Sequence, residues 1–395
     1  MLLQKQKIMK QVVSTERLPI KMWLNDLEPG ALAQAKNLAN LPFAFKHIPL
    51  MPDSHQGYGM PIGSILATKG VVIPNAVGVD IGCGMCVQKT SLKSIDKDNL
   101  KQVLGEARKL IPLGFNWHDE AQDEAFMPDM DFENLLIVNR GIHKARKQIG
   151  SLGGGNHFIE IQQGSDGFIW VMIHSGSRNL GHSVATHYNK LATKMNEKWH
   201  SVVTKKMELA FFPIETDEAK NYIKEMKYCV EFALKNRTLM MKRMMQALET
   251  VCGAFETDEM INESHNFAAW ENHFGENVLV HRKGATRAFD GELGMIPGSQ
   301  GTKSYIVKGK GNPESFNSCS HGAGRKMGRK QAIRELDLEA EIALLDEQDI
   351  VHAIRNKSDL DEATSAYKDI DIVMENQKDL AEIVVELKPL AVLKG

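Results

Sequence analysis

No apolar run reaches the roughly 18 residues that a membrane-crossing helix needs, so no transmembrane segment is expected. The opening stretch MLLQKQKIMKQVVSTERLPIKMW is too polar for a secretory hydrophobic region. Cysteine is scarce and odd in number, with five residues at 83, 86, 229, 252 and 319. In a chain of this size that argues against a disulfide framework and fits a reducing, cytoplasmic setting. Net charge is almost absent, with 48 basic against 50 acidic side chains. A protein built to coat nucleic acid over its whole surface is thereby excluded, while a local basic cleft stays open. The GxxxxGK[ST] spacing of a phosphate-binding P-loop is missing. Cys83 and Cys86 form a CxxC without a second one to complete a zinc knuckle, and without the strand–helix context of a redox pair.

What is present is the composition of a folded protein: 395 residues with 43% hydrophobic and 25% charged side chains. Most of the 20 methionines fall in helical stretches such as LMMKRMMQAL, where filling core gaps accounts for them. Helices are expected from Asp26 or Leu27 to Pro42, over 91–111 and over about 119–148 with a loop around FMPDMD, over 181–199, over 216–249 with Thr216 as N-cap, over 337–347 and over about 374–386. The closing PLAVLKG reads as an ordinary frayed tail. Residues 51–90 alternate Val and Ile with glycine every few positions, a pattern of tight turns and close backbone approach.

The chemistry gathers in two regions. In GGGNHFIEIQQGSDGFIWVMIHSGSR, residues 153–178, two apolar runs flank a GSDG turn. A hairpin symmetric about that turn pairs positions that sum to 331, which sets His157 opposite His174. Cross-strand Cβ atoms lie roughly 5 Å apart, close enough for two imidazoles to share a metal ion. The adjoining GGGN and SGSR loops leave backbone N–H groups for an anion. Asp80 and Cys83 in DIGC can converge on one ion from a bend, the thiolate leaning towards softer metals. The second region is 260–333. There His281, Arg282 and Lys283 end a β-type run, PGSQGTKS forms an anion nest, and His321 stands in SHGAGR with no apolar face to pack against. An accessible imidazole beside bound phosphate serves as nucleophile, acid or base. Asp80, Cys83, His157, His174 and His265 near Gly/Ser loops thus suggest a metal beside a phosphate site. Hydrolysis, phosphoryl or nucleotidyl transfer, a zinc oxidoreductase, another metal enzyme and a binding protein all remain open at this point.

The motifs MPDSHQGYGMPIG, GVDIGCGM, LGGGNHFIE, HSGSR, SHN, HRKGATRA and CSHGAGR occur in series, and together they resemble the RtcB family of RNA-splicing and repair ligases. The resemblance implies a mixed α/β fold, with central β-sheets around an active-site cleft and helices outside. It also implies a single catalytic domain over 1–395 with a mainly helical insertion at about 181–250. The implied activity is a GTP- and Mn²⁺-dependent joining of RNA 2′,3′-cyclic-phosphate or 3′-phosphate ends to 5′-hydroxyl ends. A variant that guanylylates ends or hydrolyses cyclic phosphates with little sealing is the alternative, followed by a non-catalytic RNA-binding protein. By resemblance His321 is the nucleophile that carries GMP. Asp80, Cys83, His157, His174 and His265 hold two Mn²⁺ ions. Asn156, Glu160, Asn266, Pro297, Gly298, Ser299, Gln300, Ser304, Gly322, Ala323, Gly324, Tyr367 and Lys394 contact the nucleotide, with Glu160 and Lys394 reading guanine. Arg178, Arg282 and Lys283 meet RNA phosphates. RNA, an archease-type activator and a monomer or weak dimer complete the implied partners. One tension follows: in a regular strand Glu160 faces away from His157, which calls for a bulge between them or a nucleotide that wraps the strand start.

Overall fold

The computed structural model describes residues 9–395; the first eight, part of the polar leader noted above, lie outside the described residues. Two sheets organise the chain. A seven-stranded sheet runs in the spatial order Ile261–Ser264, Gly84–Lys89, Ile169–Ser175, Phe158–Gly164, Ala381–Lys394, Ser304–Gly309 and Leu293–Ile296, antiparallel throughout. A six-stranded sheet follows the order Gln11–Val13, Ile20–Met22, Ile48–His55, Ile62–Thr68, Glu276–Lys283 and Asn266–His273. Around them lie helices, giving the mixed α/β architecture expected from the sequence. No helix among the described residues is long and apolar enough to cross a membrane.

The seven-stranded sheet divides its side chains by parity. Ile159, Ile161, Val171, Ile173 and Leu393 face helices Lys97–Leu110 and Asp217–Cys252, and form one core with Leu100, Val103, Met240, Met241 and Met244. Alternate positions such as Phe158, Met172 and Met85 line the other face, towards the candidate site. The long helix starts where the sequence reading places it: Thr216 Oγ1 accepts from Ala219 N at 3.2 Å, with Asp217 and Glu218 in the first turn.

Several expected boundaries move, for local reasons. The helix expected over 91–111 begins only at Lys97, because Asp96 caps it by accepting from Asn99 N at 2.9 Å. Of 119–148, only Leu136–Gln148 forms an α-helix; upstream, Asp123 and Asp131 accept backbone N–H groups two residues on and hold the chain in turns. The hairpin register also differs. Phe158 pairs with His174 and Ile159 with Ile173, so partners sum to 332. The cause lies in the turn: Gly164 belongs to the strand and its N donates to Phe168 O at 2.8 Å, which leaves a three-residue loop, 165–167, with Gly167 at φ +80°. His157 is therefore one residue ahead of the strand.

The largest correction is at the end of the sequence. The helix expected over about 374–386 is the short Ile370–Glu375, and the supposed frayed tail is the 14-residue strand Ala381–Lys394, inserted between Phe158–Gly164 and Ser304–Gly309. Its Ile-Val-Val run suits a pleated surface better than a helix, and the gap between two antiparallel neighbours offers hydrogen bonds along both edges. Truncation of Leu393 to Ala, inside this core, should cost roughly 2–5 kcal/mol of stability in urea unfolding; a frayed tail would give no change.

Candidate metal centre and nucleotide site

Strand ends bring the candidate residues together where the two sheets meet. Cys83 immediately precedes strand Gly84–Lys89, His157 precedes Phe158–Gly164, and His174 stands one residue from the end of Ile169–Ser175. His265 occupies the single residue by which the chain leaves one sheet for the other, between Ile261–Ser264 and Asn266–His273. Its backbone N donates to Cys83 O at 2.8 Å. Gly82, in the left-handed region at φ +76°, turns the DIGC bend against the long helix, and an added Cβ would lie 2.9 Å from Cys229 O.

The resulting cluster is tight. Cys83 Sγ lies 3.3 Å from His157 Nε2 and 3.2 Å from His174 Nε2. Asp80 Oδ2 lies 3.3 Å from His157 Nε2. Ring centroids step from His157 to His174 at 5.2 Å, on to His265 at 5.2 Å, and on to His321 at 4.8 Å. His174 Nδ1 is 3.0 Å from Asn156 O, which fixes the tautomer that directs Nε2 at the cluster. Burial, then the neighbouring Asp80, pushes the Cys83 thiol well up. Burial, reinforced by neighbouring imidazoles, holds His174 and His265 well below the usual histidine range. Burial works against the Asp80 carboxylate too, but the hydrogen bond and charge of His157 outweigh it and leave its pKa lowered. Neutral imidazoles and a carboxylate are the forms that bind a metal. Cys83, His157 and His174 place one donor atom each within 4.8 Å of one another, and His157 Nδ1 is buried with no hydrogen-bond partner. This donor set fits a divalent metal ion. Cys86 points away into the core, so the CxxC does not converge.

His321 sits at the edge of this cluster with a partner the sequence reading did not identify. Asp53, buried within strand Ile48–His55, lies 2.6 Å from His321 Nδ1 and accepts from His321 N at 3.2 Å. Burial opposes the Asp53 carboxylate, yet the charge and hydrogen bond of His321 keep its pKa below the usual value. With Nδ1–H donated to Asp53, Nε2 keeps its lone pair. Gly324, at φ +74°, lets SHGAGR lie on that strand; a Cβ there would be 2.3 Å from Asp53 O. The signal in the sequence was the Asp of MPDSH, one carboxylate among 50 acidic residues.

On the other side, Glu160, Gln162 and Ser304 form a chain: Gln162 Nε2 donates to Glu160 Oε2 at 2.7 Å and to Ser304 Oγ at 3.2 Å, and Gly298 N donates to the same Ser304 Oγ at 3.2 Å. Lys394 pairs with Phe158 in register, which puts it on the Glu160 face. Burial pushes Glu160 up to about 8, against the pull of Gln162 and Lys394, and draws the Lys394 ammonium down. Glu160 and His174 share a face because His174 opposes Phe158, and His157 is clear of the strand. The expected tension between Glu160 and His157 therefore needs neither a bulge nor a wrapped nucleotide. Ser299 bonds Thr302 at 3.0 Å, and Gln300 Nε2 donates to Glu362 O at 2.9 Å. Pro297 flanks Gly322, and Ala323 is buried beside them. Tyr367 donates to Glu362, which also pairs with Arg325 and Arg329 at 3.0 and 2.8 Å. Asn266 is a brace: Nδ2 donates to Asp80 O at 3.1 Å and Oδ1 accepts from Gly284 N at 2.7 Å.

Two of the three expected RNA-phosphate contacts turn inward. Arg282 is fully buried, paired with Glu271 and bonded to Ser318 Oγ at 2.9 Å and Phe316 O at 3.0 Å. Lys283 donates to Tyr58 O at 2.6 Å and Asn75 O at 3.1 Å, and burial lowers its pKa to about 8. Both are interior braces at the end of a strand whose pattern alone could not tell inside from outside. Arg178 lies nearer the cluster, its Nη2 donating to Gly114 O at 2.7 Å and its Nε to Ser151 Oγ at 3.1 Å.

The family model described as tRNA-splicing ligase RtcB matches residues 34–142 and 129–395. The chain is 38% identical to the RNA-splicing ligase RtcB of Escherichia coli K12 over 413 residues, covering 98% of this chain and 99% of the relative. It is 31% identical to the tRNA-splicing ligase RtcB of Thermococcus kodakarensis, covering 96% and 95%. To RNA-splicing ligase RtcB homolog 1 of Entamoeba dispar it is 32% identical, covering 93% and 82%.

A pH dependence follows from Glu160. Its raised folded-state pKa means that its contribution to stability is complete below the ordinary value of 4.5 and is lost as pH rises through about 8. Glu160→Gln, which cannot ionise, should therefore gain on the wild type between pH 5 and 8.5 in urea midpoints; a constant difference would contradict the buried-acid reading.

Proposed function

The chain belongs to the RtcB family of RNA-splicing ligases, and from that premise we propose that it joins RNA 2′,3′-cyclic-phosphate or 3′-phosphate ends to 5′-hydroxyl ends at the expense of GTP. The observation that carries this reading is the close approach of His321, braced by Asp53, to the Cys83–His157–His174 cluster through His265. Binding alone would need neither the braced imidazole nor the donor set.

In this reading Asp80, Cys83, His157, His174 and His265 hold two Mn²⁺ ions. Thiolate softness alone would favour another metal, so the choice of Mn²⁺ rests on the family. A divalent cation there supplies Lewis acidity towards phosphoryl oxygens.

The protein's own groups do the rest. Asp53 holds the Nδ1–H of His321, and Nε2 attacks the α-phosphorus of GTP. A P–N bond forms as the bond to pyrophosphate breaks, leaving GMP on the histidine. The RNA 3′-phosphate then takes GMP from His321, and the 5′-hydroxyl of the second strand displaces GMP from the activated end. A cyclic phosphate is hydrolysed beforehand. Glu160, ionised on binding, accepts from guanine N1 and N2, while Lys394 donates to O6. Asn156, Ser299, Ser304, Tyr367 and the Gly322–Gly324 loop form the remaining nucleotide contacts, and Arg178 takes an RNA phosphate. We treat 1–395 as one catalytic domain, with the largely helical 181–250 stretch as an elaboration of it.

Incubation with GTP labelled at the α-phosphate and Mn²⁺ should yield an acid-labile GMP adduct on His321, absent from His321→Ala. An adduct that survives this substitution would sink the mechanism. Cys83→Ala should remain folded and lose the adduct. Adding 3′-phosphate and 5′-hydroxyl RNAs then separates sealing from end-capping alone. Asp53→Asn should slow adduct formation by roughly 10²–10⁴-fold through loss of the correct tautomer, with the adduct still on His321.

A further inference from the structure

Arg237, on the long helix Asp217–Cys252, is completely buried and forms no ion pair with a carboxylate among the described residues. A buried guanidinium without a counter-charge is costly unless its donors are matched. Here they are matched to an unusual set of partners. Nη1 donates to Gly82 O at 3.0 Å and to Ser175 O at 2.9 Å. Nη2 donates to Ser264 Oγ at 3.3 Å, and Nε to Asn262 Oδ1 at 2.7 Å. Gly82 adjoins Cys83, Ser175 adjoins His174, and Ser264 adjoins His265. One planar group thus touches the neighbour of three candidate ligands that lie on three separate segments of the chain.

The preceding residue continues the grip. Asn236 Oδ1 accepts from Gly150 N at 2.7 Å and Ser151 N at 3.2 Å, on the segment that leads to His157. Its Nδ2 donates to Ser175 Oγ at 3.2 Å and Gly176 O at 3.1 Å. Arg243, further along the helix, reaches the same segment at Gly150 O, 2.7 Å away, but touches no neighbour of a candidate ligand; the helix belongs to the stretch that reads as an insertion.

We propose that Arg237 is the positioning residue of the metal centre: its guanidinium fork sets the mutual spacing of Cys83, His174 and His265 before metal arrives. A guanidinium presents its N–H groups in a fixed plane, so the three segments can satisfy it together in one arrangement only. A lysine would keep the charge and lose the fork. The proposal rests on reading the cluster as a metal site.

The test compares full-length wild type with Arg237→Lys and Arg237→Gln, without GTP or RNA. Mn²⁺ affinity is measured by calorimetry, the thiolate-to-cobalt absorption band after Co²⁺ addition, and metal-free stability in urea. Both variants should bind metal about 10–100-fold more weakly with a diminished thiolate band, Lys no better than Gln. Unchanged affinity with lowered stability would reduce Arg237 to a staple of the helix, and full rescue by Lys would mean that charge, not geometry, matters. Either result overturns the proposal. If the Arg237 variants do not fold, Ser264→Ala and Asn262→Ala each remove one acceptor and should weaken metal binding severalfold; unaltered affinity in both overturns it equally. Failure of the wild type to bind Mn²⁺ or Co²⁺ would sink the metal reading and this inference together, whereas wild-type binding with indifferent variants sinks the inference alone.

Discussion

Lone pairs that face one another at close range constrain everything else in this protein. The sulfur of Cys83 lies 3.3 and 3.2 Å from the Nε2 atoms of His157 and His174 in a buried site. Electron-rich donors crowded together out of water repel unless a proton or a cation stands between them. The donor atoms come from three separate segments at strand ends, so the fold must hold that arrangement by means other than the donors themselves. Asn156 O fixes one imidazole, Cys83 O takes the N–H of His265, and Asn266 ties the DIGC bend to Gly284. The two sheets meet here because the chain crosses between them at His265. The centre is therefore built at the seam of the architecture.

The same seam explains why the candidate nucleophile and the candidate nucleotide contacts lie on opposite flanks of one cluster. His321 and Asp53 approach from the six-stranded side, where Ile48–His55 supplies the carboxylate. Glu160, Ser304 and Lys394 approach from three adjacent strands of the seven-stranded sheet. A protein with almost no net charge can serve an anionic substrate in this way, because the relevant cations are placed individually instead of spread over a surface. Arg282 and Lys283 are instructive in the opposite sense. Their charges are used indoors, to satisfy carbonyls and Glu271, and a basic pair at a strand end is no guide to a phosphate site.

Much of the site was legible in the sequence because its residues stand in short glycine-rich motifs. A histidine or thiol among glycines has little to pack against, so DIGC, GGGNH, HSGSR and SHGAGR advertise chemistry. The family resemblance then ordered them. Asp53, Asn236 and Arg237 were not legible, for different reasons. Asp53 is one acid among many and matters only because a distant loop lays His321 upon it. Asn236 and Arg237 lie in a helix of ordinary amphipathic pattern, where a polar pair reads as solvated surface. Glu160 was legible as a residue but its orientation was not, since a one-residue change of register moves every side chain of a strand to the other face.

The sequence by itself determined the local pieces: the Thr216 cap and the helix it starts, the strand–turn–strand of 158–175, the placement of ligands beside flexible loops, and the kind of chemistry those ligands serve. Only the tertiary structure decided which pieces meet. The last strand, Ala381–Lys394, shows the difference most plainly. Its residues carry enough apolar character for a helix, a strand or a frayed end, and local preference separates these by little. Two antiparallel neighbours with unpaired edges settle the matter, because the hydrogen bonds and buried area they offer exceed any difference in propensity. That same pairing sets Lys394 on the face of Glu160, a relation between residues far apart in the chain that no local pattern encodes.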